Sequence, residues 1–142
     1  MRSTIATRAF IDTNILLYAI EDQSLEKTQS AISLLDTLRV EGRGVISSQV
    51  VQEFAFNAIR KFGATPAEAS RLCVGFQEFL FVAPTFQTTI DALRIMERWQ
   101  LSFWDSLLFA AAKDAGCEIL YTEDLSHGQV IEGIQIINPF LP

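Results

Sequence analysis

The sequence predicts an α/β protein of three layers, α/β/α, with helices on both faces of a roughly five-stranded, mainly parallel sheet. Two observations carry this expectation. Short all-apolar runs alternate with longer segments of helical period, and those runs lack the polar alternation of a half-exposed strand, so both faces of the sheet are covered. The totals agree with a single packed unit. A chain of 142 residues is one domain, 1–142, and 49% apolar against 20% charged residues supplies enough burial to offset chain entropy.

Ala9-Phe10-Ile11 is the first apolar run, stopping at Asp12-Thr13-Asn14, and Ile15 to Ala19 continues as a short helix. The polar stretch from Met1 to Thr7 reads as a loose tail. Between Ser24 and Val40, Ala31, Leu34, Leu35 and Leu38 recur at helical spacing. Gly42-Arg43-Gly44 reads as a turn, and Val45-Ile46 opens the second strand. From Ser48 to Phe62, the positions Val50, Val51, Phe54, Ala58 and Phe62 share one helix face, which Gly63 ends. Thr65-Pro66-Ala67-Glu68 joins an N-cap, a first-turn proline and a capping-box glutamate, opening a helix to about Phe79. Phe81-Val82-Ala83 is the third strand, closed by Pro84. Thr88 to Trp99 is helical, and Ser102 starts a further helix that reaches Ala115 and ends at Gly116. Ile119-Leu120-Tyr121 is the fourth strand and Ile134 to Ile137 the fifth, stopped by Asn138-Pro139.

Several function classes are excluded. No window approaches the roughly 18 apolar residues of a membrane span. Phe10 to Ile20 is broken by Asp12 and Asn14 and has no small-residue cleavage site, so a signal peptide is not expected and the chain is read as soluble and cytoplasmic. Cys73 and Cys117 lie far apart without metal-type spacing and read as small core residues. The only histidine, His127, falls in a loop, so imidazole zinc sites and a Ser-His-Asp triad have almost nothing to build on. No glycine-rich phosphate loop is present. A net charge of −6 argues against broad electrostatic coating of nucleic acid, yet a carboxylate metal site makes a protein acidic in the same way.

Two acids stand just beyond strand ends, Asp12 after the first and Asp124 after the fourth. In a doubly wound sheet whose order reverses between those strands, both emerge into the crevice where such folds bind ligands. Asp12 also suits a cap for the following turn, and Asp124 an ordinary turn after a strand. Flanked by Phe10-Ile11 and Ile15-Leu16-Leu17, however, Asp12 is costly to bury unless paired or liganded. Asp105 follows Ser102 at capping-box spacing, on a helix otherwise apolar all round. Glu53 borders the Val50-Phe54-Ala58 face, where a flanking surface charge is the commoner fate of a helical glutamate. Four carboxylates around one crevice need a counter-charge, and oxygen donors without imidazole or thiolate point to Mg2+ or Mn2+. Such a site directs the chemistry toward phosphodiester hydrolysis. Arg39, Arg43, Arg60, Lys61 and Arg71 are the candidate phosphate-binding set, against a scattered solvated surface. Phe76, Phe79, Phe81, Trp99, Phe103 and Trp104 exceed what a small core absorbs, so some are expected in a homodimer interface or partner groove.

Taken in order, these acids and their surroundings resemble the PIN-domain ribonucleases, in particular the VapC-type toxins of toxin–antitoxin pairs. The matching segments are Phe10-Ile11-Asp12-Thr13-Asn14-Ile15-Leu16-Leu17-Tyr18-Ala19, Gln52-Glu53-Phe54, Ser102-Phe103-Trp104-Asp105-Ser106-Leu107-Leu108, and Ala115-Gly116-Cys117 through Leu120-Tyr121-Thr122-Glu123-Asp124-Leu125. Ile134-Gln135-Ile136-Ile137-Asn138-Pro139-Phe140 looks like the closing strand. The resemblance implies a PIN-like fold and a metal site of Asp12, Glu53, Asp105 and Asp124. Asp12 and Asp105 would be the core ligands, and Thr13 or Asn14 and Thr122 would support the cluster by hydrogen bonds. The Thr-x-Asp register favours Asp124 over the neighbouring Glu123. It further implies Mg2+ or Mn2+, single-stranded or loop RNA as substrate, cut by water to a 3′-hydroxyl and a 5′-phosphate, a homodimer, and neutralisation by a small antitoxin whose tail occupies the groove.

Two other readings compete. A haloacid-dehalogenase-type phosphohydrolase with Asp12 as nucleophile wants a second aspartate two residues on, where this chain has Asn14. A catalytically inactive PIN-fold domain that only binds a partner would not need all four acidic positions, and all four are filled.

Overall fold

The computed structural model describes residues 7–21 and 23–142; residues 1–6 of the polar N-terminal stretch lie outside them. The strands are β1 (Ala9–Ile11), β2 (Gly44–Ser47), β3 (Leu80–Val82), β4 (Ile119–Tyr121), β5 (Val130–Ile131) and β6 (Ile134–Ile137). They form one sheet in the order β3-β2-β1-β4-β6-β5. Every neighbouring pair is parallel except β5 with β6, so the expected five parallel strands are joined by one short antiparallel strand. The chain winds outward from β1 to β3, then returns to β4 on the other side of β1. That reversal is the topological switch at which α/β sheets open a crevice.

Six α-helices are described: α1 (Thr13–Tyr18), α2 (Leu25–Glu41), α3 (Ser48–Phe62), α4 (Pro66–Gly75), α5 (Phe86–Trp99) and α6 (Phe103–Asp114). They gather into two groups, α1 to α4 and the α5–α6 pair, and complete the three layers with the sheet. The core centres on β1, whose three residues are all buried, with Ile46, Phe54, Phe109, Leu120 and Ile136 around it. Helix α6 is buried from Ser106 to Ala112, as its all-round apolar sequence implies. No helix among the described residues is long and apolar enough to cross a membrane.

Several boundaries differ from the sequence expectation, each for a local reason. Thr85, not Thr88, begins α5, because Thr85 and Thr88 exchange side-chain and backbone hydrogen bonds as a reciprocal cap. The helix expected to reach Phe79 is α4, which stops at Gly75 and tightens into a 3-10 turn over Phe76–Glu78. Strand β3 starts one residue earlier than expected and is an exposed edge strand rather than a buried one. Gly44, read as part of a turn, is the buried first residue of β2. A Cβ there would stand 2.8 Å from the Phe79 ring and 3.1 Å from the Leu38 Cβ, so any larger residue forces its neighbours to shift. Strand β5 was not expected. It is made by a two-residue hairpin at Glu132-Gly133, both with positive φ (52° and 78°), the primed turn that suits strand twist. Glu132 holds that strained conformation while accepting bonds from the Trp99 indole at 2.9 Å and the Lys113 ammonium at 2.9 Å.

Candidate active site

Adjacent parallel strands carry the two central residues of the site. β1 ends at Ile11 and β4 at Tyr121, paired in register, and the Asp12 N–H donates to the Tyr121 carbonyl at 3.0 Å. Asp12 and Thr122 therefore leave the sheet side by side, and the Thr122 hydroxyl donates to Asp12 Oδ2 at 2.8 Å. The other oxygen, Oδ1, accepts the Thr13 N–H at 2.7 Å, so Asp12 also caps α1. The cap suggested by the sequence is present on Oδ1, and Oδ2 is left to the Thr122 hydroxyl and the Asn14 amide.

Asn14 ties the acids together. Its Nδ2 lies 3.0 Å from Asp124 Oδ2, 3.2 Å from Thr122 Oγ1 and 3.4 Å from Asp12 Oδ2, while its Oδ1 accepts the Glu123 N–H at 3.3 Å. Thr122 Oγ1 in turn accepts the Asp124 N–H at 3.1 Å, which sets the turn after β4. Glu53 reaches the group from α3. Thr13 Oγ1 donates to Glu53 Oε2 at 3.5 Å, and the buried Gln49 one turn earlier donates to Glu53 Oε1 at 2.7 Å. Gln49 was not anticipated, although its four-residue spacing from Glu53 on one helix is a readable signal.

Asp105 stands apart from this network. Its N–H donates to the Ser102 hydroxyl at 3.1 Å, the helix cap that the spacing implied, and its carboxylate makes no hydrogen bond to the other acids. The preceding Trp104 lines a cavity of about 470 Å3 with Gln49, Gln52 and Glu53, which brings the start of α6 beside the glutamate helix. Among the described residues, no three Asp, Glu, His or Cys side chains already stand as a cation cage.

Electrostatics distinguish the acids. Burial is the main cause that pushes Asp12 up to about 6; the Asp124 and Glu53 charges add to it, while the bonds from Thr122 and Thr13 oppose it. No Lys or Arg among the described residues pairs with Asp12, Glu53, Asp105 or Asp124. Glu123 behaves differently. Burial would raise it, but Lys27 Nζ at 2.5 Å and the Tyr18 hydroxyl at 2.6 Å outweigh that, and its carboxyl lies below the usual range. Glu123 is thus compensated by its own partners, whereas Asp124 faces Asn14. Only long-range contacts across α1 and α2 supply those partners, and no local motif marks them.

The remaining candidates lie elsewhere. The exposed His127 accepts the Asn138 N–H on Nδ1 at 3.0 Å and tethers its loop to the end of β6. Arg39 pairs with Asp36 and Glu78, Arg43 pairs with Glu41, and Arg60 lies over the Phe56 ring, so the basic set is largely scattered. Lys61 is the exception, because it lines a cavity together with Asn14. Cys117 is buried, its thiol pushed up to about 12 by that burial, and both cysteines are free.

The oxygen-donor set suits a hard cation. Asp12 is a buried carboxylate held by hydroxyl and amide donors, with no cationic side chain among the described residues to balance it.

Comparison with known proteins places this fold. No curated protein matches the chain. Among solved structures, a toxin–antitoxin complex from Klebsiella pneumoniae aligns with TM-score 0.71 at 19% identity, over 92% of this chain and 97% of that one. A DNA-bound VapBC from Salmonella typhimurium aligns with TM-score 0.66 at 19% identity, over 92% and 97%. VapC20 of Mycobacterium tuberculosis, described as a sarcin–ricin loop cleaving toxin, aligns with TM-score 0.64 at 17% identity, over 82% and 89%. At these identities the likeness is one of fold. Residues 9–131 match the family model described as PIN domain. That match spans most of the chain and contains Asp12, Glu53, Asp105 and Asp124, and on it the chain belongs to the PIN-domain family.

Proposed function

We propose that the protein is a Mg2+- or Mn2+-dependent endoribonuclease acting as the toxin of a toxin–antitoxin pair. The observation that carries this reading is the buried, uncompensated Asp12 carboxylate, linked through Thr122 and Asn14 to Asp124 where two adjacent strands end. Asp12, Asp124, Glu53 and Asp105 would hold the cation. Bound there, it supplies charge neutralisation and Lewis-acid polarisation of a phosphodiester. The chain's own residues prepare that site. Thr122 and the Thr13 N–H fix both oxygens of Asp12, Asn14 fixes Asp124, and Gln49 aims Glu53, which orients three of the four acids. The toxin assignment draws on likeness to the toxin structures above, and exposed Phe81, Trp104 and Phe86 support an antitoxin partner and a second copy as apolar contacts. A soluble, cytoplasmic protein fits this role.

The test is cleavage of labelled RNA with added Mn2+. Wild type should cut, and Asp12→Asn and Asp105→Asn should each abolish cutting with the fold intact by circular dichroism. Retained cleavage in either variant would remove that residue from the site.

A second reading starts from the PIN-domain match, which gives the fold and does not by itself show metal dependence. It makes the protein an inactive PIN-fold domain that binds a partner. Folded wild type that neither binds Mn2+ nor cuts RNA would support it.

A further inference from the structure

Beside the carboxylates lies a cavity of about 320 Å3 that shares Asn14 with them. Its size is at the lower end of sites for small ligands, roughly 300–1,000 Å3, enough for one nucleotide unit rather than a protein helix. Tyr18 and Glu123 form part of its wall and are already occupied, since Tyr18 donates to Glu123, lies edge-on to Phe140 and carries Lys27 over its ring. Three other lining groups are available. Phe62 is 39% exposed and makes no ring pair among the described residues. Among the same residues the Lys61 ammonium has no ion pair, and the Glu21 carboxylate accepts no hydrogen bond. An aromatic face, a cation and an acceptor around one small cavity correspond to the base, the phosphate and the pairing edge of a nucleotide.

We propose that this cavity receives one unstacked nucleotide of single-stranded RNA next to the phosphate to be cleaved, with the base on Phe62, its pairing edge toward Glu21 and a phosphate on Lys61. The inference rests on the nuclease reading and names its substrate contact. A carboxylate accepts from N–H groups only, and guanine presents two adjacent donors on its pairing edge, so guanine is the preferred base. Occupancy of the neighbouring cavity also explains how an acidic protein engages RNA, through one stacked base and few phosphates.

The test measures binding by fluorescence anisotropy in the Asp12→Asn background, where no cleavage occurs. The probes are a uridine hexaribonucleotide with one central guanosine and the same strand with an abasic site at that position, so their charge is equal. The guanosine probe should bind roughly 5- to 150-fold more tightly. Phe62→Ala should erase that ratio, Phe62→Tyr should keep it, and Lys61→Met should weaken both probes by the same factor. Melting curves of the variants exclude misfolding. A ratio near one, or one untouched by Phe62→Ala, overturns the subsite if wild type binds Mn2+ and cuts RNA. If wild type does neither, the nuclease reading fails first and the subsite with it.

Discussion

Asp12 shows the conflict between folding and chemistry at a single residue. Burial raises its pKa from 3.8 to about 6, so the folded protein holds this proton more tightly than the unfolded chain does. A group raised in this direction contributes stability that is fully present below pH 3.8 and lost as pH rises through about 6. The metal-free protein should therefore lose up to about 3 kcal/mol from this residue between pH 4 and pH 7. Denaturant titrations in EDTA should show the loss in wild type and not in Asp12→Asn, and parallel pH profiles would contradict the assignment. Thr122 and Asp124 lead to a second expectation. Because Thr122 orients the Asp12 oxygen, Thr122→Val should weaken Mn2+ binding roughly 10- to 100-fold. Asp124→Asn should weaken it as well, while Glu123→Gln should not, since Lys27 and Tyr18 already occupy that carboxylate. Equal losses in Glu123→Gln and Asp124→Asn would show that the two acids share the site. The Asp12 and Asp124 positions were legible because strand ends are visible as apolar runs that stop, whereas Thr122 came only from the family resemblance. The Lys27–Tyr18–Glu123 group was not legible, since residues from three parts of the chain meet there only after folding.

At the scale of elements, the sequence was most readable where caps are local. Thr65 and Glu68 form the reciprocal cap that their spacing implies, and Gly63 ends α3 in the left-handed conformation. It was least readable where an element answers to a distant neighbour. Gly44 looks like a turn residue beside Gly42, yet it is a strand residue because Phe79 and Leu38 close over it. Gly44→Ala should accordingly destabilise the protein by about 1–3 kcal/mol through overpacking, measurable by denaturant unfolding. The paired variant Gly44→Ala with Phe79→Leu should recover part of that loss, and a neutral Gly44→Ala would show that the strand yields freely. The hairpin at Glu132-Gly133 is a similar case. Its glutamate occupies a position where Asn or Asp is the familiar signal, and the Trp99 and Lys113 bonds compensate for a residue the turn does not favour.

For the whole molecule, sheet order decides where chemistry is possible. The reversal at β1 and β4 brings Asp12, Thr122, Asn14 and Asp124 together, and α3 adds Glu53 from the next strand. Asp105 sits in the first turn of α6, just ahead of the buried run Ser106 to Ala112, so its position follows from how that helix packs rather than from any bond to the other acids. Net charge sets a further limit. With a balance of −6 and one cavity lysine near the carboxylates, RNA binding should depend only weakly on salt, with a slope of log affinity on log salt of roughly −1 to −2. A much steeper slope would mean a broader basic surface carries the RNA. The central claim is that the buried Asp12 and the acids around it form a cation site, and calorimetric titration of the purified wild-type chain with Mn2+, beside Asp12→Asn, tests it most directly. Saturable binding in wild type that disappears in Asp12→Asn is the expected result. Binding of equal strength in both, or none in a folded wild-type sample, would contradict it.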